Sequence, residues 1–490
     1  SASRQIGGAR GIMVSNAEGA YVQDNWHHRA LTVNAGLRYD YNSPPVNRLG
    51  LGTFDFSTGV YRWDKTNPIT GAAPNMPPGG IPPDRRDFAP RLGIAYSITP
   101  RLVARASGGI FYDSFGSNYV QASQSERGNW PFNFPQNVSG LNATTVGTVW
   151  PNPFPGNPAG SATPLICSQC LNIEKSSSRT PYVGEWTLSL QYQFSPNLMA
   201  EADYFGSKGT KLTSQIIDNT AVAPGPIPYS SRQIYPHYAP YILNGYNEFG
   251  SWYDGGAFRL QKRFSHGLTY LISYTYSKHI DYVDNLSNSV AGAASNPTRF
   301  NAKLNRGLAG FDIRNVLVAS GIWQIPGRTS SRLANTLISG WMIGDIFTLH
   351  SGLPFSVIVF SDYANIGSVG GRYPEYAGLV GNPSAIATPN PQQWFNTAAF
   401  AIPANGVYGT AGRDILHTDG LIDDEVSLSK IWKVREHTSI ELRGEFFNLF
   451  NNVNFGYPDP FVDDGAPYFG SISSTLNPGR EIQLALKIHF

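Results

Sequence analysis

The residues in this sequence with the most recognisable chemistry are Cys167 and Cys170, in the stretch CSQC. Two thiolates at this spacing can bind zinc, exchange disulfides or close a small disulfide loop. A structural zinc site needs two further ligands at a similar spacing. The sequence has only these two cysteines and no second ligand pair. A disulfide is therefore favoured over metal or redox chemistry, provided that the loop lies in an oxidising compartment.

Other side chains that could do chemistry fit simpler explanations. His27 and His28 stand beside a predicted turn, where solvated or interfacial rings are the default. Acidic runs at 419–425 and 459–465 lack the spacing of a calcium-binding loop, so solvated loop acids are favoured over a calcium site. There is no GxSxG, HExxH or phosphate-loop pattern. The sequence therefore predicts no catalytic residue, no cofactor site and no metal site, although a hydrolase assembled across strands is conceivable.

Composition limits the classes of protein to which this chain can belong. Charged residues make up 14% of the 490 residues, against roughly 25% in ordinary soluble domains. Mean hydropathy is −0.23, and no apolar run is long enough for a transmembrane helix. A net charge of +2 argues against a nucleic-acid partner. Soluble all-β proteins and outer-membrane β-barrels both share this profile.

Strict alternation of apolar and polar residues recurs in runs of about ten residues. In WTLSLQYQF, Trp186 and every second residue to Phe194 are apolar, whereas Thr187 and its alternates are polar. The terminal run EIQLALKIHF places Leu484, Leu486 and their alternates on one side in the same way. Successive side chains of a strand point to opposite faces, and about ten residues is the length of a tilted strand that crosses a bilayer.

Short and long connections alternate without exception between these runs. Six short ones are predicted, at 28–29, 99–101, 195–197, 265–267, 326–332 and 435–437. Six long ones are predicted, roughly at 43–88, 113–180, 207–252, 278–311, 354–420 and 451–478. Membrane barrels have short periplasmic turns and long outer loops. The sequence therefore predicts an all-β, antiparallel transmembrane barrel with 13 strands in this chain. If strand 341–350 belongs to it, Asp345 must face the polar lumen.

Eight segments carry a specific resemblance, from about residue 18 to 490. They are GAYVQDNW, LTVNAGLRYDY, FAPRLGIAYSIT, YFGSKGTKL, ISYTYSKHID, WFNTAAFA, LRGEFFNLFNNVNF and NPGREIQLALKIHF. In this order they resemble barrel segments of TonB-dependent outer-membrane receptors, most of all the Oar-like subgroup with a carboxypeptidase regulatory domain. The resemblance implies the bacterial outer membrane, a plugged barrel of about 22 strands and energy drawn through TonB.

The resemblance also leaves some of the family's parts without counterparts. No plug, TonB-box region or regulatory domain is recognisable ahead of residue 18. We therefore expect residues 1–17 to be the remnant of an outer loop and residues 18–490 to be the C-terminal part of the receptor barrel. TonB would act through regions outside this chain. The closing strand, with Leu484, Leu486, Ile488 and Phe490 on its lipid face, resembles the signal that the barrel-insertion machinery recognises.

Alternation also predicts which charged side chains face the lumen. Those expected there are Glu201, Asp203, Arg443, Glu445, Glu481 and Lys487. A plain polar lumen explains each one, although together they could help to bind a plug or a substrate. Lys262 and Lys430 fall on the lipid face, where long side chains reach toward the membrane rim.

The best-supported function is energy-coupled uptake of a large substrate, with outer-membrane lipid and an unknown extracellular ligand as partners. A complete, smaller passive channel of 14 strands is an alternative, if residues 1–17 supply one more strand. A surface adhesin or structural barrel, with the long loops as its working part, is a third reading.

Overall fold

In the computed structural model, the described residues are 2–7, 12–113, 131–138, 169–170, 179–236, 242–282, 300–326, 336–367, 375–435 and 437–490. Thirteen long strands form the wall of the molecule. They are β1 (Ala17–His28), β2 (Leu31–Asn42), β3 (Asp87–Thr99), β4 (Leu102–Tyr112), β5 (Tyr182–Ser195), β6 (Leu198–Asp218), β7 (Ile242–Ser265), β8 (Leu268–Asp281), β9 (Asn315–Gln324), β10 (Trp341–His350), β11 (Leu421–Arg435), β12 (Thr438–Phe447) and β13 (Glu481–His489). No helix in these ranges is long and apolar enough to span a membrane.

Each wall strand pairs antiparallel with its neighbours in the chain, in unbroken order from β1 to β13. The predicted all-β antiparallel fold and the 13 strands are thereby confirmed. Five of the short connections are two residues long, at 29–30, 100–101, 196–197, 266–267 and 436–437. The one from β9 to β10, at 325–340, is longer than the predicted span of 326–332. Long connections leave the opposite end of the wall, so the predicted sorting by length is also confirmed.

Register assigns every wall side chain to one of two faces. One row of opposed residues runs Trp26, Val33, Ile94, Ala106, Leu188, Tyr204, Gly256 and Tyr276. We call this side of the sheet the apolar face, and the other side the polar face. A row of the polar face runs Arg105, Ser189, Asp203, Ala257 and Thr275. Directly opposed residues share a face, so the apolar sets predicted in separate strands meet on one side.

The predicted loop at 207–252 is wrong, because the two longest strands occupy much of it. β6 has 21 residues and β7 has 24, and they stay paired from Leu198↔Lys262 to Asp218↔Ile242. The pairing passes a bulge at Lys211, whose φ is 58°. Beyond the bulge, Ile216, Tyr246 and Phe249 form a buried apolar cluster that stabilises the extension. The connection between the strands is therefore only 219–241.

The face predicted for Asp345 is also wrong. It lies opposite Gly321 and Val426, on the apolar face and not on the polar one. In β10 both faces carry large apolar residues, so alternation alone does not fix which face is which. The carboxyl of Asp424 lies on the same face within hydrogen-bonding reach of Asp345, and this contact gives Asp345 a polar neighbour there.

The long connections pack together beyond the wall and contain the main buried core. Phe355, Val357, Ile358 and Val359 are at most 1% exposed and pack with Phe395 and Phe400. Phe461 and Phe469, in the connection 448–480, pack against this core. We call this unit the outer cap. Residues 2–7 pair with 133–138, and 13–14 pair with 46–47, so the start of the chain lies among the long connections.

Candidate functional site

The polar face of the wall brings charged side chains of distant strands into contact. Glu201 on β6 lies 3.4 Å from Arg259 on β7 and 3.8 Å from Arg105 on β4. Ser189 on β5 donates to the same carboxylate at 3.0 Å. Register explains the contact, because Glu201 and Arg259 are directly opposed and Arg105 is two strands away on the same face. Glu201 was predicted to face the lumen. Both arginines lie on the same face but were not among the predicted residues.

A second charged cluster lies on β12 and β13. Arg443 contacts Glu441 at 2.7 Å and Glu445 at 3.4 Å, and the His489 ring lies 3.4 Å from Glu441. Lys487 stands directly opposite Glu441. Arg443, Glu445 and Lys487 were predicted for this face. Glu441 was not among the predicted lumen residues, yet it is the acid that joins the two strands here.

The two other predicted lumen residues, Asp203 and Glu481, also lie on the polar face. Asp203 lies opposite Ser189 and Ala257, and Glu481 lies opposite Phe447. No ion pair to either carboxylate is present among the residues that the structure describes. The six predicted residues thus occupy one face, where water would solvate the charges if that face lines a lumen.

Lys262 and Lys430, which the sequence places on the lipid face, lie on the apolar face, and both reach toward the end with the short connections. The Lys430 ammonium lies 5.4 Å from the ring centres of Trp341 and Trp432 and donates to the Ser339 carbonyl at 2.5 Å. The Lys262 ammonium donates to the hydroxyl of Ser265. Cationic groups held at a rim by aromatic rings and carbonyls avoid the hydrocarbon interior.

The closing strand exposes its apolar side. Leu484, Leu486 and Ile488 are 75%, 67% and 59% exposed and lie opposite Gly444, Leu442 and Ile440 on β12. Phe490 follows the last strand residue and is 99% exposed. The three strand residues lie on the apolar face, which is the arrangement expected of the predicted assembly signal.

The remaining sequence candidates have structural partners or fall outside the described residues. His27 shares a hydrogen bond of 2.9 Å with the Thr32 hydroxyl, and His28 stacks on Trp26. Asp419 accepts the backbone N–H groups of Gly420 and of Phe455, which lies in the connection from β12 to β13, and Asp459 accepts that of Phe461. Cys167 lies outside the described residues, as does the predicted disulfide, and only the backbone pairing of Cys170 with Asn244 is described.

Ionic contacts form where the long connections meet the ends of wall strands, and the contact made by Arg413 is buried. Arg413 contacts Asp281, the last residue of β8, at 2.5 Å and Asp414 at 3.2 Å. Near the start of β3, Asp84 accepts from Arg86 at 2.7 Å and from the Thr180 N–H at 3.3 Å. Burial tends to raise the pKa of the Asp84 carboxyl, but these bonds outweigh burial and hold that pKa below 3.8. The sequence predicted neither the Arg413–Asp281 pair nor the Asp84–Thr180 bond, because these residues are 132 and 96 positions apart.

Comparison with known proteins gives one family match. A family model described as an outer membrane beta barrel domain matches residues 1–483. No curated protein matches the chain.

Three of the solved structures that match this chain are described as transporters or receptors. The outer membrane transporter YddB from Escherichia coli has 11% identity and a TM-score of 0.49, with 97% of this chain and 45% of that chain covered. The FrpB iron transporter from Neisseria meningitidis has 12% identity and a TM-score of 0.44, with 98% and 46% covered. The ferric yersiniabactin uptake receptor FyuA from Yersinia pestis has 10% identity and a TM-score of 0.41, with 97% and 46% covered. The chain spans less than half the length of each.

Proposed function

Because this chain belongs to the outer membrane beta barrel domain family and lies in the bacterial outer membrane, we propose that it is part of the barrel wall of a TonB-dependent receptor of the Oar-like subgroup. Its work would be the energy-coupled uptake of a large substrate. The eight family-like segments of the sequence support the subgroup. Outer-membrane lipid, the barrel-insertion machinery, TonB and an extracellular ligand are the partners that this function requires.

The observation that carries the proposal is the arrangement of the wall. The thirteen strands place most of their apolar side chains on one face and paired charges such as Glu201–Arg259 on the other. Single-chain bacterial barrels have an even number of antiparallel strands and a polar interior. β1 and β13 are the two ends of the sheet and do not pair with each other within the described chain. We infer that further strands close the barrel and that the polar face lines its lumen.

The placement of the first residues favours this reading over the complete channel of 14 strands. Residues 2–7 pair with 133–138 among the long connections and not with β1 or β13. They therefore add no fourteenth strand to the described wall. In this proposal 1–17 belongs to an outer loop, and β1 runs from the cell exterior toward the periplasm.

The proposal can be tested without knowing the substrate. Cells with and without the intact gene are incubated in the same complex medium, and mass spectrometry identifies compounds that only gene-carrying cells deplete. We expect depletion to stop when a protonophore collapses the inner-membrane gradient or when TonB is deleted.

Each alternative predicts a different result from that experiment. Depletion that persists without the gradient would indicate a passive channel. No depletion, together with loss of attachment to surfaces in cells that lack the gene, would indicate an adhesin. Either outcome would refute energy-coupled uptake.

A further inference from the structure

Within the described residues, neighbouring strands carry a group of apolar side chains on the polar face. Leu271, Ile322, Ile346 and Phe447 project from β8, β9, β10 and β12 and are 39%, 46%, 49% and 37% exposed. We call these four side chains the lumen patch. They line a cavity of about 500 Å³ together with Ser320, Ser427 and Glu425. Exposed apolar side chains grouped on a solvent-accessible surface usually mark a binding site.

Register shows that the lumen patch is continuous across strands. One row runs Leu271, Ser320, Ile346 and Glu425, and the next runs Thr269, Ile322, Gly344, Ser427 and Glu445. Gly344 contributes no side chain to the second row, and the Ser427 hydroxyl occupies that space, since a Cβ built at Gly344 would lie 2.5 Å from its oxygen.

The acids beside the lumen patch differ in their partners. Glu445 is engaged by Arg443 at 3.4 Å, just as Glu201 and Glu441 are engaged by arginines elsewhere on this face. Glu425 lies directly opposite Ile346, and no cation of the described chain lies within ion-pair distance of it. One carboxylate thus remains available at the edge of an apolar surface.

We propose that the lumen patch and Glu425 form a binding subsite for an amphiphilic ligand with an apolar body and a single positive charge. The apolar body lies on Leu271, Ile322 and Ile346, and the cation meets the Glu425 carboxylate. A neutral apolar ligand would leave that charge without a partner, and an anionic one would be repelled by it. The inference rests on the proposed function, because it requires the polar face to line the lumen.

Benzyltrimethylammonium is a suitable probe, and neopentylbenzene is its neutral isostere. Binding is measured by saturation-transfer NMR on the complete protein in maltoside micelles, with empty micelles as the blank. We expect E425Q to weaken binding of the cation about fivefold, the effect of one solvent-accessible ion pair, and to leave the isostere unaffected. I346N should weaken binding of both. D203N, which removes an acid on the same face away from the lumen patch, should change neither.

Two results would overturn the subsite. One is equal binding of the cation by the wild type and E425Q, which includes no binding by either. The other is an Ile346→Cys variant that is protected from thiol reagents in the complete protein without probe, which would show that another segment of the protein covers the lumen patch.

These results do not depend on energy coupling. If uptake in cells proves energy-independent while E425Q still weakens probe binding, the receptor function fails and the subsite stands. If uptake is energy-coupled and the probe ignores Glu425, only the subsite fails.

Discussion

Arg413 and Asp281 are 132 residues apart in the sequence, yet they form a buried ion pair of 2.5 Å between the outer cap and the end of β8. Their side chains are 2% and 7% exposed. The same guanidinium also donates to the Asn305 carbonyl at 3.1 Å. Arg413 therefore joins its own long connection to the end of β8 and to the connection that contains Asn305.

Removing one partner of this pair leaves the other charge buried. We expect Arg413→Met to destabilise the outer cap by about 3–5 kcal/mol, measured as increased hydrogen exchange of residues 355–359. Arg62→Met is a matched control, because the Arg62–Asp55 pair is longer, at 3.4 Å, and its arginine is 30% exposed. That change should cost at most about 1 kcal/mol. Equal effects of the two changes would show that the buried pair does not hold the outer cap in place.

Face assignment in the closing strand can be tested with neighbouring substitutions. Leu484 lies on the apolar face, and Gln483 lies on the polar face opposite Glu445. Leu484→Arg should cost about 2–4 kcal/mol of folding free energy near the bilayer midplane, whereas Gln483→Arg should cost little. Reversible folding into lipid vesicles across a urea series measures both. Similar costs would contradict the assignment.

The terminal Phe490 should matter for assembly and not for ligand binding. It follows β13 and is almost fully exposed, in the position expected of an insertion signal. We expect Phe490→Ala to reduce the amount of protein in the outer membrane, measured by fractionation, and to leave the binding affinity of the assembled fraction unchanged. Normal membrane levels in this variant would argue against the signal.

Cys167 and Cys170 should be joined in the mature protein. The long connection that contains them faces the oxidising exterior in a barrel of this orientation. Mass spectrometry after alkylation, with and without reductant, should show modification only after reduction. Two thiols that alkylate freely in protein from native outer membranes would disprove the disulfide.

Acid should weaken the contact of Asp84 with Arg86 and Thr180. The pKa of this carboxyl is lower in the folded protein than its ordinary value of 3.8. A carboxyl of this kind contributes stability that is fully present above the ordinary pKa and is lost as pH falls through the folded value. We expect the midpoint of urea unfolding to fall below about pH 4 less steeply in Asp84→Asn than in the wild type. Parallel curves would show that Asp84 is not the group responsible.

The sequence by itself determined the wall. Alternation in runs such as Trp186 to Phe194 requires strands with one apolar side, because side chains of a strand point to opposite faces in turn. Sorting of short and long connections to opposite ends then predicted an antiparallel barrel and its 13 strands. The parity of Glu201 and Arg443 followed from the same local rule.

Only the tertiary structure decided which charges meet and where alternation gives no guidance. Arg105, Glu201 and Arg259 come together because three separate registers align, and local pattern does not specify register between distant strands. β10 is apolar on both sides, so the face of Asp345 depended on its pairing with β9 and β11. The outer cap, with Phe355 in its core and Arg413 on Asp281, depends on contacts between long connections. Those connections have no periodic pattern, so the sequence held no local signal from which the contacts could be predicted.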